Sequence, residues 1–317
     1  MTGKAHLPLR YYAGELVALF QKSITAADPA VFLYKNNARS ALFMAESLAR
    51  LLKALDEGPK TGRALRALKK PEDILGEADY YDNCHRQFSK NKQVSHVQLE
   101  YFEKKRDSVF AKLNKKLRKK DYYQEPFNQL AAMRIDFNEN KLITGIENQI
   151  REELKESAGF FAKYPLKFTE FESQVHELRR KLRWVSIYSQ SLGGIIVLKT
   201  PTTIEPWQKE FQSKNSLDSN FNKVPLKKGL AKYIYFNRNA FYALNYTIAR
   251  LGVIKDKALA IEALARSIKK TGLADEGYTE TALKQLGVSY TEKDLLQEAH
   301  QLLVKFFISF KIHEKLL

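Results

Sequence analysis

The stretch VFLYKNNARSALFMAESLARLLKALD, residues 31 to 56, decides the fold class. Its apolar residues recur at intervals of three and four, at Leu42, Ala45, Leu48, Leu52 and Leu55. An α-helix repeats every 3.6 residues, so this spacing places them on one face. The segment ends at Gly58-Pro59, a pair that terminates helices. We therefore predict one amphipathic helix over residues 31 to 56.

The same helical spacing extends along most of the chain. It predicts helices over residues 97–120, 127–160, 170–192, 230–250, 256–270 and 292–315. Alternation typical of strands is nearly absent, and glycine and proline fall mostly between the helical segments. We therefore predict an all-α, essentially strand-free protein built from packed helical bundles.

The order of motifs repeats weakly between the two halves of the chain. A helix with Arg39 precedes LGEAD, residues 75 to 79, and a helix with Arg179 precedes LGVIKD, residues 251 to 256. Each half then closes with a long helix, an order that suggests duplication.

This order predicts a division near Pro165, within one domain that spans the chain. Residues 1–164 and 165–317 would form two tandem, pseudo-symmetric helical bundles with a basic groove or channel between them. The helices over 31–56 and 170–192 would be symmetry mates. Residues 199–229 form a polar connection, which is long enough to be a surface excursion or a lid.

The charge balance is strongly basic. The chain has 53 Lys+Arg and 36 Asp+Glu, a formal net charge of +17. Such an excess favours nucleic acid, an anionic membrane surface or a phosphate polymer, because counterion release rewards contact with a dense line of charge. Composition does not choose among these three partners.

Cysteine content and hydrophobic segments indicate the compartment. Cys84 is the only cysteine, which excludes an internal disulfide and a cysteine-rich metal site. The N-terminal run YYAGELVALF contains Glu15 and lacks a small-residue cleavage pattern. The apolar run LGGIIVL, residues 192–198, is far shorter than the ~20 residues that a bilayer span needs. We expect a soluble protein of the reducing cytoplasm.

The stretch VHELRRKLRW, residues 175–184, sorts its charges onto one face. At about 100° per residue, one sector contains His176, Arg179, Arg180 and Arg183. Leu178 and Leu182 fall on the opposite side, and Lys181 projects away from the basic sector. A basic face opposite an apolar stripe is often only a solvated surface, and this alternative stays open.

Further basic candidates lie on other predicted helices. They are Lys35, Arg39, Lys112, Lys116, Lys232, Arg238 and Arg250. Lys112 and Lys116 belong to a lysine stripe that a solvated face would also explain. The last three lie in KYIYFNRNAFYALNYTIAR, residues 232–250, where basic and aromatic residues interleave. This pattern suits single-stranded nucleic acid, although packing of the aromatic rings in a bundle explains it as well.

The motif His176-x-x-Arg179, followed by more basic residues and Trp184, resembles the signature of the CHAD domain, a conserved-histidine α-helical domain. Leu251-Gly252 with Asp256 resembles the LG-x-x-x-D element of that family. Through the repeat order the resemblance spans nearly the whole chain, but the first half departs from it. There Tyr34-Lys35-Asn36-Asn37 stands where His-x-x-Arg is expected, so the histidine and first arginine are missing.

The resemblance implies two repeated four-helix bundles and a basic channel that binds inorganic polyphosphate. The residues agree on chemical grounds, since polyphosphate offers charge but no bases, and guanidinium forks and ammonium groups suit it. We predict non-catalytic polyanion binding by the histidine and the cations named above. Nucleic acid is the second choice and an acidic protein partner the third, and we expect no cofactor, metal or membrane.

Motifs for catalysis are absent from the sequence. It has no G-x-x-x-x-G-K-[ST] loop, no G-x-G-x-x-G and no H-E-x-x-H. CHAD domains are often fused to a triphosphate-tunnel domain with the signature E-x-E-x-K, and the nearest string, residues 170–174, lacks the lysine. Phosphoryl transfer also generally needs acidic ligands for Mg²⁺, and the basic stripe offers no obvious acidic pair. The sequence therefore does not predict an enzyme.

Overall fold

The computed structural model describes residues 8–55, 59–119, 127, 139–203, 205–212, 217–227 and 229–317. Several parts of the sequence predictions lie outside these residues. They are Asp56 and Gly58 at the end of the predicted 31–56 helix, residue 120 of the predicted 97–120 helix, residues 128–138 of the predicted 127–160 helix, and residues 204, 213–216 and 228 of the polar connection.

Most of the described chain is helical, which confirms the predicted fold class at this level. The α-helices are α1 (Leu9–Ile24), α2 (Pro29–Lys35), α3 (Ala38–Leu55), α4 (Pro59–Phe88), α5 (His96–Leu117), α6 (Glu139–Phe161), α7 (Glu177–Ser191), α8 (Arg238–Thr271), α9 (Tyr278–Leu286) and α10 (Glu292–Val304). In the part of the chain that the structure describes, no helix is long and apolar enough to cross a membrane.

Two short strands correct the prediction of an essentially strand-free fold. Strands β1 (Ile196–Lys199) and β2 (Ile234–Asn237) pair in parallel, with Ile196 opposite Ile234. Gly194, just before β1, has φ +99°, and a Cβ there would lie 2.4 Å from the backbone nitrogen of Lys227. The chain turns here because glycine tolerates both this conformation and this approach.

The predicted 31–56 helix is two helices. Helix α2 ends at Lys35, and α3 begins at Ala38. Between them Asn37 has φ +54°, in the left-handed region that asparagine adopts more readily than most residues. The apolar spacing runs through the break, so periodicity alone did not reveal it.

The predicted 170–192 helix begins with a π-helical turn. Residues Phe171–His176 are π-helical, and α7 continues from Glu177. Such turns are rare and frequently lie at functional sites.

The predicted helices over 230–250 and 256–270 are one helix, so the predicted break was wrong. Residues 234–237 form β2, and α8 then runs without interruption from Arg238 to Thr271. Leu251 and Ile254 are buried, so packing continues across the expected break. The predicted 292–315 helix is α10 followed by a π-helical turn, Lys305–Ser309, and a 3₁₀ turn, Ile312–Glu314.

Helices α3 and α7 lie at the centre of the packing. Helix α3 contacts α1, α4, α6 and α7, while α7 also contacts α6 and α8. One large apolar core joins buried residues from both halves of the chain. A smaller core forms where Phe88 and Phe102 meet Leu264 and Ile268 of α8. The polar sides of α3 and α7 are thereby brought to face a common space.

Candidate functional site

A cavity of about 860 Å³ is lined by residues of α3, α4, α6, the π-helical turn and α7. This volume lies in the range of small-molecule sites, about 300–1,000 Å³. On α3 its lining residues follow intervals of four, three and four, at Arg39, Phe43, Glu46 and Arg50. One face of α3 therefore points into the cavity.

Five of the residues predicted for the site line this cavity. They are Arg39, His176, Arg179, Arg180 and Arg183. Helix α7 and the π-helical turn contribute all but the first. The structure therefore brings the basic sector of residues 175–184 together with the first-half arginine.

The other six predicted site residues do not line it. Lys35 and Arg238 are exposed elsewhere. Lys112 lies 3.7 Å from Glu77, Lys232 donates to Thr144 at 2.9 Å, and Arg250 pairs with Glu298. Lys116 belongs to α5, which contributes no residue to the cavity.

Four further cations line the cavity, namely Arg50, Arg66, Lys69 and Lys181. The prediction that Lys181 projects away from the site was wrong, because the cavity extends around α7 toward α6. Its Nζ lies 5.8 Å from the centroid of the Phe160 ring on α6. For Arg50 a signal was present in the sequence, since Arg50 shares the helix face of Arg39.

The aromatic residues interleaved with basic ones in residues 232–250 serve mainly in the core. Phe236 and Phe241 are fully buried, and their rings are 5.7 Å apart. Tyr235 is exposed, and the Nζ of Lys199 lies 3.5 Å from its ring centroid. The packing alternative therefore accounts for these buried rings.

Arg39 is held in an ion-pair network. Its Nε donates to Glu72 at 2.9 Å and its Nη1 to Asp79 at 3.1 Å. Lys69 also contacts Glu72, whose side chain is only 4 % exposed. Burial alone would raise the pKa of Glu72, but Lys69 and Arg39 lower it below its ordinary value. This arginine therefore has an electrostatic role in the folded chain.

Arg179 makes a comparable contact with α8. Its Nε donates to the carbonyl oxygen of Ile248 at 3.1 Å. A Cβ at Gly252 would lie 3.0 Å from its Nη2, just as a Cβ at Gly76 would lie 2.8 Å from Nη2 of Arg39. Each arginine thus lies against the glycine of its LG motif. Arg179 therefore packs against α8, although helical spacing placed it on the side of its helix opposite the apolar Leu178 and Leu182.

Arg183, unlike Arg39 and Arg179, donates no hydrogen bond to the described residues. Its guanidinium carbon lies 4.4 Å from the centroid of the Phe43 ring, and that of Arg39 lies 5.3 Å from the same ring. Arg183 is half-buried, and no carboxylate of the described residues lies within ion-pair distance. Burial, and then the positive charges of Arg179 and Arg39, lower the pKa of Arg183 to about 10, although the carboxylates of Glu72 and Glu46, beyond ion-pair distance, oppose the shift. It is a desolvated cation that lacks a counter-ion.

His176 ends the π-helical turn between two acidic residues, the exposed Glu172 and the half-buried Glu177. Its Nδ1 lies 2.9 Å from Oε1 of Glu172, and Arg180 donates to Glu177 at 2.6 Å. These pairs are more exposed than the contacts of Arg39, so each contributes little to stability.

Acidic residues also line the cavity, and most of them come from helices other than the one that contains the basic stripe. They are Glu46, Glu72, Asp73, Glu153, Glu156, Glu172 and Glu177. Most belong to α3, α4 and α6, far from the basic stripe in sequence, so spacing along α7 gave no sign of them. In the described ranges, no group of three or more His, Cys, Asp or Glu side chains is arranged to hold a metal ion.

Neutralising the buried carboxylate of Glu46 should stabilise the protein, by an amount that depends on pH. Glu46 is 6 % exposed, and its Oε2 has no hydrogen-bond partner among the described residues. Burial raises the pKa of Glu46, with Lys69 opposing the shift. Ionised Glu46 therefore destabilises the fold above its raised pKa. We expect Glu46→Gln to raise the free energy of unfolding by about 1 kcal/mol at neutral pH.

The stability gained through Glu46→Gln should shrink as the pH falls through the raised pKa of Glu46 towards 4.5, the ordinary value for glutamate. Below that value the carboxyl is protonated in the folded and unfolded chain alike. Urea unfolding of both proteins at several pH values measures the difference. A gain that stays constant with pH would contradict this account.

Comparisons with models of known families, with curated proteins and with solved structures found no match to this chain. The function proposed for the cavity therefore rests on its own side chains.

Proposed function

We propose that the chain binds inorganic polyphosphate or a similar phosphate-bearing polyanion in this cavity, without catalysing a reaction. The observation that carries the proposal is Arg183, a half-buried guanidinium with no carboxylate partner and with Arg39 and Arg179 as repelling neighbours. Such an arrangement destabilises the empty site. A bound anion would remove that repulsion, because its charge would replace the missing counter-ion.

Phosphate oxygens fit the donors available in the cavity. Arg179 uses its Nε for Ile248, which leaves its terminal nitrogens for a ligand. Arg183 has no hydrogen-bond acceptor among the described residues. Guanidinium forks bind phosphate oxygens with two parallel hydrogen bonds, and such charge-assisted bonds are about twice as strong as neutral ones.

The finer architecture is part of the same proposal. Two pseudo-symmetric bundles, residues 1–164 and 165–317, would place the basic cavity between them, as in the CHAD family. Support comes from the two arginine–glycine contacts, since Arg39 meets Gly76 as Arg179 meets Gly252. The partner of each arginine lies four residues before its glycine, at Glu72 and at Ile248.

Ligand competition tests the proposal. Long-chain polyphosphate should displace duplex and single-stranded DNA from the protein at equal phosphate concentration and physiological salt, and its affinity should fall steeply as salt rises. Fluorescence anisotropy of labelled DNA measures the displacement. Should DNA remain bound, nucleic acid, our second choice, would replace polyphosphate as the ligand.

A further inference from the structure

Part of the cavity wall is apolar. It is formed by Phe43, Leu65, Trp184 and Ile187. The ring centroids of Phe43 and Trp184 are 6.3 Å apart. A bare phosphate chain is charged along its whole length and gains nothing from such a wall, whereas sites for organic ligands combine apolar walls with a few polar groups. The wall therefore indicates a ligand that has an organic part as well as phosphate.

The buried carboxylate of Glu46 also lines the cavity and has no partner. Glu46 is 6 % exposed, its Oε2 accepts no hydrogen bond from the described residues, and no described cation lies within ion-pair distance. A buried carboxylate without donors is costly, and donors on a ligand would satisfy it. Glu46 follows Phe43 by three residues, roughly 5 Å along the axis of α3. A ligand whose phosphate binds Arg183, over the Phe43 ring, therefore has Glu46 within reach.

Arg50 places an unused donor beside this acceptor. It follows Glu46 by four residues and lines the cavity from the same face of α3. Its Nε has no hydrogen-bond partner within the described ranges, and its guanidinium carbon lies 4.5 Å from the centroid of the Trp184 ring. This part of the cavity therefore offers a carboxylate acceptor, a guanidinium donor and an aromatic wall.

Guanine has the complementary pattern among the nucleobases. One edge of guanine presents two N–H donors, at N1 and at the exocyclic N2, next to the acceptor O6. Two parallel N–H donors match both oxygens of a carboxylate, and O6 accepts from a guanidinium. On adenine the corresponding edge has only one donor, and the lone pair of its N1 would repel a carboxylate.

We infer that the cavity binds a guanine nucleotide, with the base at Glu46 and Arg50 and the phosphates at Arg179 and Arg183. This inference rests on the proposed function and names the ligand of the same site, a nucleoside oligophosphate in place of a bare phosphate chain. The apolar wall then contacts the base and the ribose. The ligand supplies Glu46 with donors and Arg183 with its missing negative charge.

Calorimetric titration with four phosphate compounds tests this inference. Guanosine triphosphate should bind roughly tenfold tighter than tripolyphosphate and than adenosine triphosphate, the scale of a hydrogen bond to a charged group. Inosine triphosphate, which lacks the exocyclic amino group, should fall between them. Equal binding of the guanosine and adenosine compounds would overturn the inference and leave the proposed function standing. Failure of all four to bind would overturn the proposed function itself.

A matched pair of variants separates recognition of the base from net charge. Glu46→Gln replaces one acceptor by an amide donor, so it should weaken guanosine triphosphate binding about tenfold without weakening tripolyphosphate binding. Glu152→Gln removes the same formal charge from α6, where Glu152 is exposed and does not line the cavity, and should change neither. If Glu46→Gln changed the binding of both ligands equally, only the charge of Glu46 would act, and the inference would be wrong.

Discussion

Replacing Arg183 with methionine should stabilise the empty protein and abolish most of its phosphate binding. The guanidinium lacks a counter-ion and is repelled by Arg179 and Arg39. The free-energy cost of this charge is present in full at neutral pH, because the lowered pKa of Arg183, about 10, lies well above neutral pH. Methionine removes the charge and keeps an apolar contact with Phe43. After the lost cation–π contact and solvent screening, we expect the free energy of unfolding to rise by about 1 kcal/mol.

The same change should weaken tripolyphosphate binding roughly 10- to 100-fold, the scale of a lost charge-assisted contact. Urea unfolding and calorimetric titration measure the two effects. Arg118→Met is a suitable control, since Arg118 is exposed at the end of α5 and lines neither cavity. If both variants weaken binding equally, net charge alone attracts the anion, and the basic face is only a solvated surface.

Replacing Arg39 with methionine should have the opposite effect on stability. Arg39 lies over the same Phe43 ring, yet it pairs with Glu72 and Asp79. Its removal leaves Glu72, 4 % exposed, with Lys69 as its remaining ion-pair partner. We expect the free energy of unfolding to fall by about 2 to 3 kcal/mol, because a buried carboxylate that loses a partner retains its desolvation cost.

This loss should depend on pH in a defined direction. The pKa of Glu72 is lowered in the folded chain, so its contribution is complete above 4.5, the ordinary glutamate value, and disappears as the pH falls through the lowered pKa. Urea unfolding at neutral and acidic pH should show the wild type and Arg39→Met converging in acid. A stability loss for Arg183→Met as large as that for Arg39→Met would mean that both arginines serve only the fold.

Sequence periodicity predicted the helices because burial of an apolar stripe determines most of them. It missed the break at Asn37, since the apolar spacing continues through it and only the backbone conformation changes. It missed β1 and β2 because four-residue strands are too short to show alternation. It placed a break near Gly252, where glycine instead allows Arg179 to approach α8.

The part of the candidate site that lies on one helix could be predicted from the sequence. The face shared by His176, Arg180 and Arg183 follows from helical spacing alone. Helical spacing did not predict the contacts between helices. The pairing of Arg39 with Glu72 and the isolation of Arg183 depend on how α3, α4 and α7 pack. Only the structure therefore separates Arg39, which stabilises the fold, from Arg183, which is available to a ligand.

Thermal unfolding of the wild type and Arg183→Met, each with and without saturating tripolyphosphate, tests the central claim most directly. A ligand that binds the folded state at 100 times its Kd stabilises that state by about 2.7 kcal/mol. The account predicts that the order of stability inverts: the variant melts at the higher temperature without ligand, and the wild type does so with ligand. An equal ligand-induced shift in both proteins would contradict the claim that Arg183 holds the bound phosphate.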